Sequence, residues 1–205
     1  MWQEDLAMHG RIKTALLSVF KKDGIEHFAR ALIELGWNIL ASAGTVKYLK
    51  EHGIEARDIA EIVGPPILGH RVVTLSREIH AALLAKDTPE DDAELARIGV
   101  PRINLVYVDL YPLAEEVARP GATLASVTEK TDIGGPALLR SAAKGRRLVV
   151  CRTDDAKTIL GHLKRGYESW SSDEQERVQI WLAHRAEYAV AEYCMASAEY
   201  LKKHF

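Results

Sequence analysis

Asp132-Ile133-Gly134-Gly135-Pro136 sets an acid two residues ahead of a glycine pair and the start of a helix. Two glycines there permit close backbone approach to a ligand, with Asp132 as base or hydrogen-bond acceptor. A purely structural turn is the competing reading. Ser42-Ala43-Gly44-Thr45 likewise follows a strand and opens a helix. Its small side chains let backbone N–H groups reach an anion, and the helix dipole favours phosphate; an ordinary Ser/Thr cap fits the same four residues. Ser18 and Lys22 flank the end of an earlier strand and would add phosphate contacts, although Lys21-Lys22 alone reads as a solvated turn. Tyr111-Pro112 either places a phenol at the end of the strongest strand or simply stops it. Arg140 and Lys144 share a helical face, a like-charge pair that costs roughly a few tenths of a kcal/mol unless an anion sits nearby. GxGxxG and Walker patterns are absent, and the histidines show no metal-ligand spacing, so no metal site is expected.

The elements that must position these residues are legible from periodicity. Short apolar runs over Thr14–Phe20, Trp37–Ala41, Ile103–Leu110 and Arg147–Cys151 predict buried parallel strands, and Ala56–Ile59 a weaker one. Apolar positions 25, 28, 29, 32, 33 and 35 predict a helix closed by Gly36. Further helices are expected over Thr45–Glu51, Glu78–Ala85, Pro89–Ile98, Thr123–Lys130, Asp154–Arg165 and Ser171–Lys203. One more opens at Gly134-Gly135-Pro136, with Pro at the first helical position and Gly145 just past the end. Pro65-Pro66 makes 64–69 a loop. Strands alternating with helices predict a three-layer α/β domain, a parallel sheet flanked by helices. Ligands in such sheets collect beyond the carboxyl ends of the strands, where Ser18–Gly24, Ser42–Thr45, Asp109–Pro112 and Asp132–Pro136 fall.

The 205 residues are 47% hydrophobic and 27% charged, enough for one core and against disorder. Residues 1–10 read as a polar extension and 11–205 as a single domain. No apolar run approaches the roughly 20 residues that span a bilayer, so no membrane partner is expected. With 27 basic and 29 acidic residues, no global field favours nucleic acid. Cys151 and Cys194 make no disulfide framework, and a cytoplasmic location is expected.

LLSVFKKDGIEHFARALIELGWNILASAGTVKYLKEHGI, GHRVVTLSREIHAALLAK, DLYPLAEEVARPGATL, DIGGPALLRSAAK and HRAEYAVAEY together resemble the IMP cyclohydrolase domain of the bifunctional purine-biosynthesis enzyme, a methylglyoxal-synthase-like fold. The likeness runs in order from about Thr14 to Leu201. Since the chain stops at Phe205, the resemblance implies a stand-alone cyclohydrolase without the transformylase domain. It implies closure of the purine ring: a formamido-imidazole-carboxamide ribonucleotide (FAICAR) loses water to give inosine monophosphate, with no cofactor. Carried over by motif, phosphate contacts fall on Ser18, Lys22, Ser42, Gly44 and Thr45. Arg71 and Thr74 match loop residues near the substrate, and Asp109 lies beside the base site. Gly134 and Gly135 would offer N–H groups to the base. Tyr111, Asp132 and Lys144 match catalytic positions, with Asp132 as proton acceptor, Lys144 as oxyanion or proton relay and Tyr111 as donor. Pro136 to Lys144 spans roughly 12 Å of helix, so only tertiary structure or a partner subunit can bring Lys144 to Asp132. The family pairs as homodimers, and Val178, Trp181, Leu182, Tyr188, Tyr193 and Met195 supply apolar surface for that; covering the sheet is the alternative use.

Departures from the pattern cluster on the expected site. The family's RVKTLHP reads Arg71-Val72-Val73-Thr74-Leu75-Ser76-Arg77 here, which puts Val73 at the catalytic lysine. Phe20 replaces a serine, Ala43 a glycine, Asp109 an asparagine and Gly145 an asparagine. Three functions remain open: IMP cyclohydrolase with Arg77, His70 or Lys86 replacing the lysine; ring closure of a related purine-analogue nucleotide or nucleoside; and non-catalytic nucleotide binding.

Overall fold

The computed structural model describes residues 12–69 and 71–204. The extension expected over 1–10 lies outside the described residues. Five strands form one parallel sheet: β1 (Thr14–Val19), β2 (Asn38–Ala41), β3 (Arg57–Asp58), β4 (Ile103–Asp109) and β5 (Leu148–Val150), in the order β3-β2-β1-β4-β5. The consecutive residues Leu16 and Leu17 of β1 point to opposite faces, and both are fully buried, so helices cover the sheet on both sides. The three-layer α/β architecture read from the sequence is the observed one.

Ten α-helices accompany the strands among the described residues, the last two after β5. They are α1 (Ile25–Glu34), α2 (Ala43–Glu51), α3 (Ala60–Val63), α4 (Arg77–Leu84), α5 (Pro89–Arg97), α6 (Leu113–Ala118), α7 (Leu124–Lys130), α8 (Gly134–Lys144), α9 (Thr153–Lys164) and α10 (Ser172–Leu201). Helices α4, α8 and α10 pack together over β4 and β5, while α1 meets β2 and α9. None of the described helices is long and apolar enough to cross a membrane.

Several boundaries differ from expectation, each for a local reason. Helices α3 and α6 have only four and six residues, too short to display a periodic stripe. Helix α8 begins at Gly134 rather than Pro136, which sits in the first turn, where its missing N–H costs nothing. Val178 and Leu182 of α10 face inward, with Leu182 fully buried; that part of the helix covers the sheet.

The end of α8 corrects the role given to Gly145. Its φ of −78° is not left-handed; the next residue, Arg146, takes φ 55°. Arg147 N–H donates to the Ala142 carbonyl at 3.0 Å and Arg146 N–H to that of Ala143 at 3.2 Å. This is the paired closure that normally has glycine at the left-handed position. Gly145 is small for a different reason: a Cβ there would lie 3.0 Å from the Leu83 carbonyl carbon and closer still to its oxygen. In contrast, a Cβ on Gly44 meets nothing within 4 Å. Gly145→Ala should therefore lower stability by about 1–3 kcal/mol through overpacking. Gly44→Ala should leave it unchanged or raise it by roughly 0.5–1 kcal/mol. Urea denaturation of the two variants measures both, and equal effects would contradict this account.

Candidate functional site

Parallel strands put their carboxyl ends on one edge of the sheet, and the loops leaving that edge meet there. The β1–α1 and β2–α2 loops build the first half of the site. Ser18 Oγ donates to Ser42 Oγ at 3.3 Å, and Ser42 Oγ lies 3.3 Å from Thr45 Oγ1. Thr45, fully buried, also accepts the Val19 N–H at 3.4 Å. Lys22 Nζ donates to Thr45 Oγ1 at 3.3 Å and to the Val19 carbonyl. Ser42 stands at the N-cap of α2, but its side chain makes no cap hydrogen bond. The ordinary-cap reading of this segment is therefore set aside: the hydroxyl turns to Ser18 and Thr45, and the first N–H groups of α2 stay available to an anion. Open space beside the exposed Gly44 continues this cradle.

Asp109 ends β4 beside it. Its Oδ2 accepts the Lys21 N–H at 2.8 Å, and its carbonyl accepts that of Phe20 at 3.2 Å. Burial lowers the Lys22 pKa, and the Asp109 charge opposes that shift. Asp109 thus latches the turn that carries Lys22 and supports its protonated form.

The second half forms where α8 begins. Gly135 N–H donates to Asp132 Oδ1 at 3.0 Å, folding the carboxylate onto the helix N-terminus. Burial raises the Asp132 pKa above the usual carboxylate range, against the N–H groups of Gly135 and Gly134, which lower it. The result is a carboxylate more basic than a solvated one. A side chain at either glycine would force its neighbours to shift. A Cβ on Gly134 would lie 2.5 Å from Thr74 Oγ1; one on Gly135 would lie 2.6 Å from Leu110 Cδ2 and closer to Asp132 Oδ2. Thr74 and the end of β4 therefore close around the acid.

Tyr111 joins the two halves. Its ring meets Phe20 edge-on at 4.8 Å, and Lys130 Nζ lies 5.4 Å from its centroid. Its hydroxyl donates to Glu116 Oε2 at 3.4 Å, and Arg119 holds that buried carboxylate at 2.8 Å. In this arrangement the phenol proton is directed to Glu116 rather than to the crevice.

The chain matches the MGS-like domain over residues 24–137. It belongs to that family. The bifunctional purine biosynthesis protein PurH of Thermosynechococcus vestitus is 41% identical over 196 residues, which are 93% of this chain and 37% of that protein. The chain thus spans little more than a third of that relative. The crystal structure of ForH superposes with a TM-score of 0.77 at 34% identity, covering 94% of this chain and all of the other. The MGS-like domain is of the PurH type, as the sequence motifs implied.

Two expected site residues stand apart in this MGS-like domain. Lys144 is exposed at the far end of α8, a helix of 11 residues and about 15 Å. It lies among residues that precede the strands, so within one chain it does not reach Asp132. Arg71 is exposed, and its Nε donates to the Leu68 carbonyl of its own loop at 3.1 Å. Val73 is half-buried and packs on the hydrophobic core.

One residue had been read differently. Tyr193, expected on an apolar assembly surface, is half-buried, and its hydroxyl accepts the Asp132 N–H at 2.6 Å. Burial raises its own pKa. Spacing on α10 could not reveal this, because the partner lies 61 residues away. Tyr193→Phe leaves a half-buried N–H unpaired, which should cost about 1–3 kcal/mol. Amide exchange at Asp132–Gly135 should accelerate while exchange in β1 does not; unchanged exchange there would show that the bond holds nothing in place.

Proposed function

We propose that this domain closes a purine-type ring, with FAICAR as the substrate and inosine monophosphate as the product. The observation that carries this reading is that an anion cradle and a buried carboxylate bound to a helix N-terminus both stand at the carboxyl edge of the sheet. The cradle of Ser18, Lys22, Ser42, Gly44 and Thr45 suits a ribonucleotide phosphate. Asp132 stands where a base is needed, and the PurH relative bears a purine-biosynthesis name.

The chemistry follows from the substrate. The carboxamide nitrogen attacks the formyl carbon, a C–N bond forms, and Asp132 takes the N–H proton. The formyl oxygen receives that proton and becomes the hydroxyl of a carbinolamine. That hydroxyl leaves as water with the hydrogen of the formamido nitrogen, restoring the aromatic ring. An amide nitrogen is a weak nucleophile, so a base of raised pKa is an asset. Because both reacting groups belong to one molecule, holding them in contact supplies much of the rate. Gly134 and Gly135 let Thr74 and the Asp132 carboxylate close on the start of α8, and Asp109 holds the phosphate turn. Tyr111 would become a donor to substrate by leaving Glu116. The domain works as a homodimer in this proposal, through the exposed Trp181, Tyr188 and Met195 of α10.

A second reading, ring closure of a purine-analogue nucleotide or nucleoside, is favoured by Val73. Valine cannot supply the charge that a lysine gives an oxyanion, and one lost donor typically costs about 10²–10³ in rate. The substitutes expected from sequence do not fill the gap. Arg77 pairs with Glu78 at 3.1 Å, with its side chain 82% exposed, and Lys86 lies at the opposite edge of the sheet. His70 lies outside the described residues. The MGS-like fold also suits a nucleotide-binding role without turnover.

Absorbance at the wavelength of the closed purine ring tests the proposal on FAICAR directly. Turnover above background is expected, and Asp132→Asn should lower kcat by about 10²–10⁴. Asparagine can still accept the Gly135 N–H, so the fold should persist. The acid limb of kcat/KM should have an apparent pKa above the roughly 3.9 of a solvated aspartate, because the active form is ionised and burial opposes ionisation. That limb should vanish in the variant. Nucleotide binding without turnover of FAICAR would remove the first reading, and turnover of an analogue alone would establish the second.

A further inference from the structure

We infer a second anion-binding site at the opposite edge of the sheet from Asp132, in a cleft floored by Arg147 and Arg102. The cleft has a volume of about 1150 Å³ and is lined by Lys13, Trp37, Arg102 and Arg147, which precede β1, β2, β4 and β5. It is therefore open at the amino ends of the strands, where this kind of sheet does not usually bind ligands.

The argument rests on an uncompensated buried charge. Arg147 is 8% exposed, and no carboxylate lies within ion-pair distance of it among the described residues. Its Nε donates to the Leu83 carbonyl at 2.8 Å, and its Nη2 donates to that of Ala85. Arg102, with a side chain 10% exposed, donates to the same Ala85 carbonyl at 2.6 Å. Two guanidinium groups thus converge on one oxygen. Asp92 at 2.7 Å and Asp87 at 3.5 Å pair with Arg102, Asp87 acts on Arg147 only from beyond ion-pair distance, and the Arg102 Nε–H is buried without a hydrogen-bond partner among the described residues.

Carbonyls at the end of α4 offset part of the Arg147 charge, but a helix terminus supplies only about half a unit. Buried charges are ordinarily paired. The remaining cations at the cleft add to the excess. Lys86 and Lys144 are exposed and make no ion pair among the described residues, and Arg146 adds a third, held by Glu176 at 3.5 Å. Arg146 also keeps its left-handed backbone where glycine would be unstrained. Burial and the neighbouring Arg102 push the Arg147 pKa down to about 10, which leaves it charged at neutral pH. The missing counter-charge is an oxyanion, phosphate or carboxylate, which guanidinium donors recognise well. Apolar walls from Leu95, Val100 and Pro101 would cover the body of an organic anion.

Isothermal titration at low ionic strength with inorganic phosphate, and separately with citrate, tests this site in the Lys22→Gln chain, where the crevice cradle is disabled. One equivalent of at least one probe should still bind, with phosphate alone, citrate alone or both defining the ligand class. Adding Lys144→Gln and Arg146→Gln, both at exposed positions, should weaken that binding at least tenfold. Loss of all binding in Lys22→Gln, or affinity indifferent to the added changes, would overturn the inference. Both readouts are independent of turnover, so failure of the cyclisation proposal would leave them intact.

Discussion

The contact between the Asp132 carboxylate and the Gly135 N–H is the interaction around which this part of the sheet's carboxyl edge is organised. It fixes the acid at the N-terminus of α8, where the helix dipole favours a negative charge. Burial acts in the opposite direction. The balance leaves a carboxylate oriented by the backbone yet more basic than one in water. Everything nearby is sized to that contact: a Cβ on Gly134 would displace Thr74, and one on Gly135 would displace Leu110 or the carboxylate itself. Tyr193 secures the same turn from behind through the Asp132 N–H.

Helix α8 gives the molecule two chemically distinct ends. Its N-terminus meets the acid at the carboxyl edge of the sheet, and its C-terminus delivers Lys144 to the amino edge. A straight helix cannot bring these together, so any role for Lys144 would be at its own edge or on another chain. At its own edge it joins a concentration of cations around a buried arginine that has no ion-paired carboxylate among the described residues. The Arg140–Lys144 pair on this helix is eased at one member only, since Arg140 meets Glu187 at 3.0 Å.

The sequence was most informative where one local rule decided the outcome. Apolar runs located the long strands because a sheet covered on both faces buries consecutive residues, as Leu16 and Leu17 show. Ser18, Lys22, Ser42 and Thr45 could be grouped because strand ends in a parallel sheet share an edge. What stayed hidden depends on contacts between distant segments. Gly145 looked like a helix terminator, yet its size answers the Leu83 carbonyl, and the left-handed residue is Arg146. Tyr193 looked like apolar surface because periodicity says nothing about where a hydroxyl points. Tyr111 was read as facing ligand, and its buried partner Glu116 was not foreseen.

Val73 bears on how such a site would accelerate ring closure. A lysine at that position would stabilise negative charge on the formyl oxygen, and here a methyl-bearing side chain packs on the core instead. The α8 N-terminus is the nearest alternative source of positive potential, but Asp132 already takes its Gly135 N–H. The site is therefore better equipped to accept a proton than to hold an oxyanion. In the proposed reaction, ring closure under that constraint would rely on orientation, with the phosphate end anchored between β1 and β2 and the reacting arms pressed together beside Asp132. A substrate whose attacking nitrogen is more nucleophilic than an amide, or whose formyl oxygen is already hydrogen-bonded within the molecule, would lose least from the missing lysine. This is the physical reason to test purine-analogue precursors beside FAICAR.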